Sequence, residues 1–409
     1  MFQTSQEIDE QIHHLRNLLR QQTQNLRMIE THMASFAFNM IPIHLLNQQE
    51  FIETERTKIL KKIQELEQHR GNDSDRQIEV DIQSLYKFLP TGILHLYSQE
   101  DLPIVKFYIV NPTNTAKTVV LSSGIEQFSY IRSDTVQIAP AQSKSLTQLP
   151  ILKQDEIASL YEVRRAILHT RVSCIENGQE SLLSLQDYDV QFLARDVITW
   201  AIVDDENTVR DLSYHIAAWV TPNDRAVVEM LRYAADYSPT GVLRGYQGGG
   251  NVEEKASRVR SQVEAIFQAL KLKAEITYIS ASISFGKQAD EVQQRVNLPK
   301  DSLLNRQANC IDGAVLYASL LERAAMNPAI VLTRGHAFVG WEISPGSKQY
   351  EFLETTMTRN HSFEEAFKRG MEQFKRVSSL LERPFFDSQG FARLIDIKEI
   401  RSRGIFPME

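Results

Sequence analysis

One stretch of the chain, NCIDGAVLYASLLERAAMNPAIVLTRGHAFVGWEI at residues 309–343, contains the residue types of a thiol-dependent reaction. Cys310 opens a segment with helical periodicity, and His336 opens a strand-like segment. A cysteine thiolate can attack a carbonyl carbon, and a histidine can carry the proton that this attack requires. The pair therefore predicts acyl transfer through a thioester. The alternative is two ordinary core residues, because a lone cysteine is most often a small buried hydrophobe.

The sequence around the cysteine predicts a helix that begins at Cys310. Asn309 is a preferred N-cap residue, and Asp312 stands at the third helical position, where a carboxylate helps the free amides. A cysteine in the first turn lies near the positive end of the helix dipole, which favours thiolate. A thiol needed only for packing would not require that position.

A third residue completes a triad pattern. HAFVGWEI and YEFLETT read as two strands joined by the turn SPGSK, folded about Gly346. Positions that sum to about 692 then face each other, so Phe338 lies opposite Glu354. His336 has the same parity as Glu354, so both side chains are expected on one face of the sheet. Glu354 would then hold one ring nitrogen and leave the other for the thiol.

Further residues near the motifs are candidates for the oxyanion hole or for packing around the site. The amide of Cys310 is the natural oxyanion donor, and Gln307 or Gln294 could add a side-chain amide. Either glutamine could equally be a solvated loop residue. Trp341 has the opposite parity to His336, which predicts core packing. No cluster has metal-ligand spacing and no cofactor motif is present, so we expect neither a metal nor a cofactor.

NCIDGAVLYASLLE, GHAFVGWE and FLETT together resemble the core of the transglutaminase-like superfamily, and in particular a group of bacterial transglutaminase-like proteins. The resemblance covers roughly residues 205–360. It implies a papain-like fold and a cysteine peptidase, an amidase or a cross-linking transglutaminase, acting on protein or peptide substrates. Hydrolysis is favoured because peptidase-like members dominate among bacterial relatives. The usual acid of the family is Asp, so Glu354 departs from its pattern.

Residues 1–72 predict a coiled-coil-like helical hairpin, with apolar residues at three- and four-residue steps on both sides of a break at Pro42. An isolated hairpin buries little surface and needs another surface to cover its stripes. That surface is either the same chain or a partner, which includes a second copy. GNDSDRQ, at residues 71–77, reads as a linker.

Residues 78–200 predict an antiparallel β-sandwich of immunoglobulin-like size, and residues 205–409 predict the α+β catalytic domain. The strand-like segments of the sandwich include GILHLYS at 92–98, and Cys174 lies in another of them as a packing residue. GVLRGYQGGG, at 241–250, is Gly-rich but has no GK[ST] and no GxGxxG before a helix. It predicts a surface loop rather than a phosphate-binding loop.

The composition excludes several functions. The net charge is −7, and no basic block predicts nucleic-acid binding or a membrane surface. No apolar run has the length of a membrane span, and the N-terminus lacks the apolar core of a signal peptide. Two cysteines form no disulfide framework, so the expected location is the cytoplasm. A non-catalytic interaction protein, using the hairpin and the sandwich, is the rival interpretation.

Overall fold

Two long helices begin the chain, α1 (Ser5–Met33) and α2 (Ile43–Arg70). The structure is a computed structural model, which describes residues 5–33, 43–70, 77–98, 102–203, 209–280, 292–381 and 383–408. The break predicted at Pro42 lies outside these residues, and so does the predicted linker apart from Gln77.

Two larger sheets and one two-stranded sheet follow the helices. Their strands are β1 (Glu79–Ser84), β2 (Phe88–Leu89), β3 (Val105–Asn111), β4 (Lys117–Ile125), β5 (Ser129–Tyr130), β6 (Arg132–Ile138), β7 (Gln142–Gln148), β8 (Ile151–Leu152), β9 (Arg164–Glu176) and β10 (Gln179–Phe192), with the short helix α3 (Gln154–Ala158) after β8. One sheet has the order β1-β3-β7 and the other β2-β10-β9-β4-β6, and β5 pairs with β8. All pairs are antiparallel except β2 with β10.

Buried hydrogen bonds join the two sheets. The side chain of Gln148 in β7 donates to the carbonyl oxygen of Leu121 in β4 and accepts from the hydroxyl of Ser123. Tyr188 in β10 donates to the carbonyl oxygen of Ile82 in β1. These polar pairs fix how the sheets meet, since a buried amide without a partner is costly.

One strand prediction in this region is wrong. GILHLYS does not form a strand, because Thr91–Leu96 is a 3₁₀ helix. The Thr91 hydroxyl donates to the carbonyl oxygen of Leu193, and Ile93 and Leu94 are both buried. A strand with one solvated face would have exposed one of those two neighbours.

The hairpin helices pack on each other and on β3 of their own chain. Ile12 and Leu19 of α1 share a buried cluster with Ile59 and Ile63 of α2, and Val110 of β3 belongs to it. A second cluster joins Leu26, Ile52 and Tyr108. The early part of α1 thus meets the late part of α2, which makes the pair antiparallel. Part of the apolar stripe of the hairpin is therefore buried against β3 of the same chain.

The chain divides into two compact units, Met1–Arg195 and Asp196–Glu409. The helical hairpin belongs to the same unit as the two sheets. The division lies before residue 200, where the pattern placed the end of the sandwich. The reason is that β11 (Val197–Thr199) pairs with β15 (Gln293–Arg295), a long-range partner within the second unit.

The second unit is built around a four-stranded antiparallel sheet. Its elements after β11 are β12 (Ala201–Val203), β13 (Val209–Asp211), α4 (Arg225–Asp236), α5 (Val252–Leu272), β14 (Thr277–Tyr278), β15, α6 (Pro299–Asn305), β16 (Gln307–Ala308), α7 (Cys310–Arg323), β17 (Pro328–Thr333), β18 (His336–Glu342), β19 (Tyr350–Leu353), α8 (Phe363–Val377), β20 (Ala392–Asp396) and α9 (Ile397–Ser402). The sheet order is β19-β18-β17-β20. Helix α7 packs against β17 and β18 and is buried from Cys310 to Leu321.

The chain is therefore a mixed α+β protein with several sheets, in agreement with the coarse fold class predicted from its patterns. Among the helices of the described ranges, none is both long enough and apolar enough to cross a bilayer.

Candidate functional site

The first turn of α7 holds Cys310 in a capping box. The side-chain oxygen of Asn309 accepts hydrogen bonds from the amides of Ile311 and Asp312, both at 2.9 Å. The Asp312 carboxylate accepts from the amide of Asn309 at 3.2 Å. Cys310 is the first helical residue and is 2% exposed. The thiol thus lies in the first turn of a rigid, buried helix.

A tight turn delivers His336 to the start of β18. Thr333 at the end of β17 pairs with His336, so only Arg334 and Gly335 connect the two strands. Gly335 has a φ of 80°, a conformation that costs glycine little and other residues more. The turn places the imidazole at the end of the sheet, where the side chain is 30% exposed.

The hairpin register places Glu354 beside the histidine. Val339 pairs with Leu353 and Glu342 pairs with Tyr350, so paired positions sum to 692. The ladder ends at Leu353, and Glu354 is the first residue beyond it. It caps a 3₁₀ turn at Thr355–Met357.

Glu354 and His336 are in direct contact. Oε2 of Glu354 lies 2.7 Å from Nε2 of His336. The other carboxylate oxygen accepts from the amide of Thr356 at 3.0 Å and from its hydroxyl at 2.7 Å. Glu354 is 3% exposed, so this carboxylate is fixed by three hydrogen bonds in a dry position. It leaves Nδ1 as the ring nitrogen available to Cys310.

The charges of the site follow from these contacts. Burial lowers the pKa of His336, but interactions with the side chains of Cys310 and Glu354 outweigh it and raise that pKa to about 9. Burial raises the pKa of Glu354, but its bonds to His336 and Thr356 outweigh it and hold the pKa below its usual range. At neutral pH the histidine is therefore an imidazolium and the glutamate a carboxylate.

Gln373 of α8 also reaches the histidine, and no sequence motif marked it. Its Nε2 lies 3.4 Å from Nε2 of His336, while its Oε1 is buried and has no hydrogen-bond partner among the described residues. Rotation of this amide by 180° would turn Oε1 towards the imidazolium. Helix α8 comes close because of Gly370, where a Cβ would lie 2.5 Å from the backbone of Phe352.

Gln294 lies in a segment tied to the first turn of α7. Three residues further on, Asn297 donates to Asp312 from its backbone at 2.8 Å and from its side chain at 3.0 Å. Gln294 is 9% exposed, and both of its amide atoms have no hydrogen-bond partner in the described part of the chain. A buried amide with free hydrogen-bonding atoms is what an oxyanion donor requires before substrate binds.

Gln307 is half-buried in β16, three residues before Cys310. Within the described residues, no hydrogen bond joins the side chain of Gln307 or Gln294 to Cys310 or His336. Trp341 is fully buried, with its ring centroid 6.1 Å from that of Phe367, which is a packing contact. No group of three or more potential metal ligands occurs in the ranges that the structure describes.

The geometry gains no support from known proteins. No protein-family model matches the sequence, and no curated protein matches it. A solved structure described as a protein from Archaeoglobus fulgidus aligns with 29% of this chain and 95% of its own, at 7% identity and a TM-score of 0.16. A likeness at that score carries no argument about fold or function.

Proposed function

We propose that this protein is a thiol-dependent acyl-transfer enzyme that hydrolyses protein or peptide amides. The observation that carries the proposal is the array of Cys310, His336 and Glu354. The cysteine interacts with the imidazole, and the imidazole is held at 2.7 Å by a buried carboxylate. A nucleophile, a base and a group that orients the base form the minimal machinery for this chemistry.

In the first step Cys310, whose thiol proton has passed to His336, attacks the amide carbonyl carbon as the thiolate. A sulfur–carbon bond forms, the carbonyl electrons move to oxygen, and a tetrahedral intermediate results. His336 then donates its Nδ1 proton to the amide nitrogen, the carbon–nitrogen bond breaks, and the amine leaves. Glu354 keeps the imidazole oriented and balances its positive charge. The product bound to the enzyme is a thioester.

In the second step water releases the acyl group. His336, now neutral, takes a proton from water while the oxygen attacks the thioester carbon. The carbon–sulfur bond breaks and leaves a carboxylic acid and the Cys310 thiolate. The amide of Cys310 and the side chain of Gln294 are the proposed donors to the negative oxygen in both intermediates. Gln307 is the second candidate for the side-chain donor.

The fold that we propose also rests on the resemblance of the sequence motifs to the transglutaminase-like superfamily. We assign the second unit to the transglutaminase-like, papain-like class and the two sheets of the first unit to an immunoglobulin-like sandwich. Supporting this are the order of the three site residues and the buried helix that packs on the sheet bearing His336. If a lysine amine replaced water as the acyl acceptor, the same thioester would give a protein cross-link.

The experiment is mass spectrometry of a cell lysate incubated with the purified protein, with Cys310→Ala and with Cys174→Ala. Cys174 is the matched control, because it is also buried and burial raises the pKa of its thiol. New peptide termini that require Cys310 but not Cys174 indicate hydrolysis. New glutamyl-lysine links with the same dependence indicate cross-linking, and deamidated glutamines indicate amidase activity.

A second measurement covers the case in which the lysate lacks a substrate. An electrophilic thiol probe should label Cys310 faster than Cys174, and His336→Gln should slow that labelling. If no product depends on Cys310 and the probe labels both cysteines equally slowly, the non-catalytic interpretation replaces the enzymatic one.

A further inference from the structure

The Gly-rich segment at 244–250 is pinned to the second unit by buried contacts. Gln262 of α5 accepts from the amides of Arg244 and Gly245, at 2.6 and 2.8 Å, and donates to the Gly245 carbonyl oxygen at 2.9 Å. The Tyr246 hydroxyl donates to the carbonyl oxygen of Glu342 at 2.7 Å. A loop held in this way is preorganised at its base, whatever its outer residues do.

A cavity of about 200 Å³ lies beside this loop. Its lining combines loop backbone with two basic side chains of α5 and the turn after β18, and consists of Gly245, Tyr246, Gly248, Lys255, Arg258, Val259, Ser344 and Pro345. On the same measure a single water needs about 10–15 Å³, so the cavity has room for a small group.

The side chains of Lys255 and Arg258 carry positive charges that no acidic side chain among the described residues pairs with. Among the described residues, neither the Lys255 ammonium nor the Arg258 guanidinium forms an ion pair or a side-chain hydrogen bond. The guanidinium lies against the loop, since a Cβ at Gly248 would be 3.3 Å from it and one at Gly250 would be 3.4 Å from it. A side chain larger than hydrogen at either glycine would crowd this group.

The nearby carboxylates of Glu254 and Glu342 already accept hydrogen bonds from other groups. Glu254 accepts from the Asn251 amide at 3.0 Å in the capping box of α5. Glu342 is 3% exposed and accepts from the Asn327 side chain and from the Lys348 amide, at 2.5 and 2.7 Å. Oε2 of Glu254 lies close to the same Gly250 position as the Arg258 guanidinium, but the two form no ion pair among the described residues, so Lys255 and Arg258 can still meet an anion.

We propose that this cavity binds the phosphate group of a small phosphorylated compound. Arg258 supplies a planar two-pronged donor and Lys255 a point charge, and together they match a tetrahedral dianion better than a monoanionic carboxylate. The absence of a GK[ST] motif argues against a nucleoside triphosphate. Ser344 lies two residues beyond the end of β18, whose six steps from His336 to Glu342 span roughly 20 Å at about 3.3 Å per residue, so the cavity is separate from the triad.

The test is calorimetric titration and thermal melting of the full chain with inorganic phosphate, against sodium chloride at equal ionic strength. Lys255→Gln with Arg258→Gln removes the two cations, and Lys368→Gln with Arg369→Gln removes two exposed cations of α8 as the charge-matched control. Phosphate should bind the wild type and the control and raise their melting temperatures. The cavity variant should bind it at least about tenfold more weakly.

Titrations with glycerol phosphate and with a phosphoserine peptide identify which kind of phosphate the cavity binds. Glycerol phosphate binding more tightly than inorganic phosphate supports a small phosphomonoester, and equal binding assigns the site to free phosphate. The proposal is overturned if phosphate does no more than chloride, if both double variants lose binding equally, or if only a phosphoserine peptide binds. Melts without ligand check that all variants are folded.

Discussion

Nε2 of His336 lies 2.7 Å from a carboxylate oxygen of Glu354 whose other oxygen is held by both the amide and the hydroxyl of Thr356. The imidazole is therefore oriented by a group that is itself immobilised, which is the condition for a precise base. Glu354 also occupies Nε2 of the ring and leaves Nδ1 without a contact to this carboxylate.

Cys310→Ala should abolish turnover while the protein stays folded. The lost sulfur is small and alanine is a strong helix former, so we expect the free energy of unfolding to change by no more than about 1 kcal/mol. Thermal melts beside product formation in the lysate assay check both parts. Wild-type turnover in the variant would contradict the nucleophile assignment, and an unfolded variant would favour a packing role for the cysteine.

Glu354→Gln should lower the rate by up to about 10⁴-fold, since a neutral amide orients the imidazole poorly and cannot balance imidazolium. Glu354→Asp is the matched variant, because it keeps the charge and restores the acid usual in the resembled family. We expect it to retain more activity than the glutamine variant. Steady-state rates of the two proteins provide the comparison, and equal rates would remove Glu354 from the mechanism.

Activity should follow a bell-shaped pH profile. The rate should fall in acid as Glu354 takes up a proton and no longer balances the imidazolium. It should also fall in alkali as His336 loses its proton, with a midpoint close to its pKa of about 9. Cys310→Ala removes one interaction that raises the His336 pKa, so NMR titration should show a lower value there. A profile that rises steadily beyond pH 10 would contradict the ion pair.

The free energy of unfolding should also depend on pH through His336 and Glu354. Because the folded pKa of His336 is above the ordinary value of 6.5, its stabilising contribution is complete below pH 6.5 and is lost as pH rises through about 9. Glu354 has a lowered pKa, so its contribution is present above about 4.5 and is lost as pH falls. Denaturant titrations of wild type and His336→Gln from pH 4 to 10 should converge at high pH. A constant gap across that range would show that the pairing contributes nothing.

Gln373→Glu should shift the alkaline limb of the pH profile upwards, since a second carboxylate beside the imidazolium stabilises its charge. Gln373→Leu removes the amide at similar size and should slow turnover about tenfold without that shift. The two variants separate a positioning role from simple packing against His336. If both leave the profile and the rate unchanged, Gln373 only fills space.

The hairpin should mediate association through the residues that its own chain leaves exposed. Phe51 is 65% exposed and Met28 is 51% exposed, while the stripe against β3 is buried. Phe51→Lys should therefore reduce the mass measured by light scattering, or the recovery of a partner in a pull-down. Gln48→Lys, an exposed change on the same helix, is the control. Identical monomers in all three proteins would make the hairpin an intramolecular arm.

The sequence by itself determined the local parts of the site. Asn309 and Asp312 predicted the helix start at Cys310, because capping depends on neighbours within one turn. The parity of His336 and Glu354 followed from the hairpin about Gly346, because side chains alternate along a strand. The capping box and the hairpin register in the structure agree with both predictions.

Only the tertiary structure decided which distant groups meet. The approach of Gln373 to His336 depends on α8 packing closely on β19 at Gly370, and no periodicity in α8 reveals that contact. Likewise, the pairing of β11 with β15 places residues 197–199 in the second unit, and no local pattern reveals that long-range contact. Capping and alternation act between near neighbours, whereas the contacts of α8 and β15 arise from burial and close packing across the whole second unit.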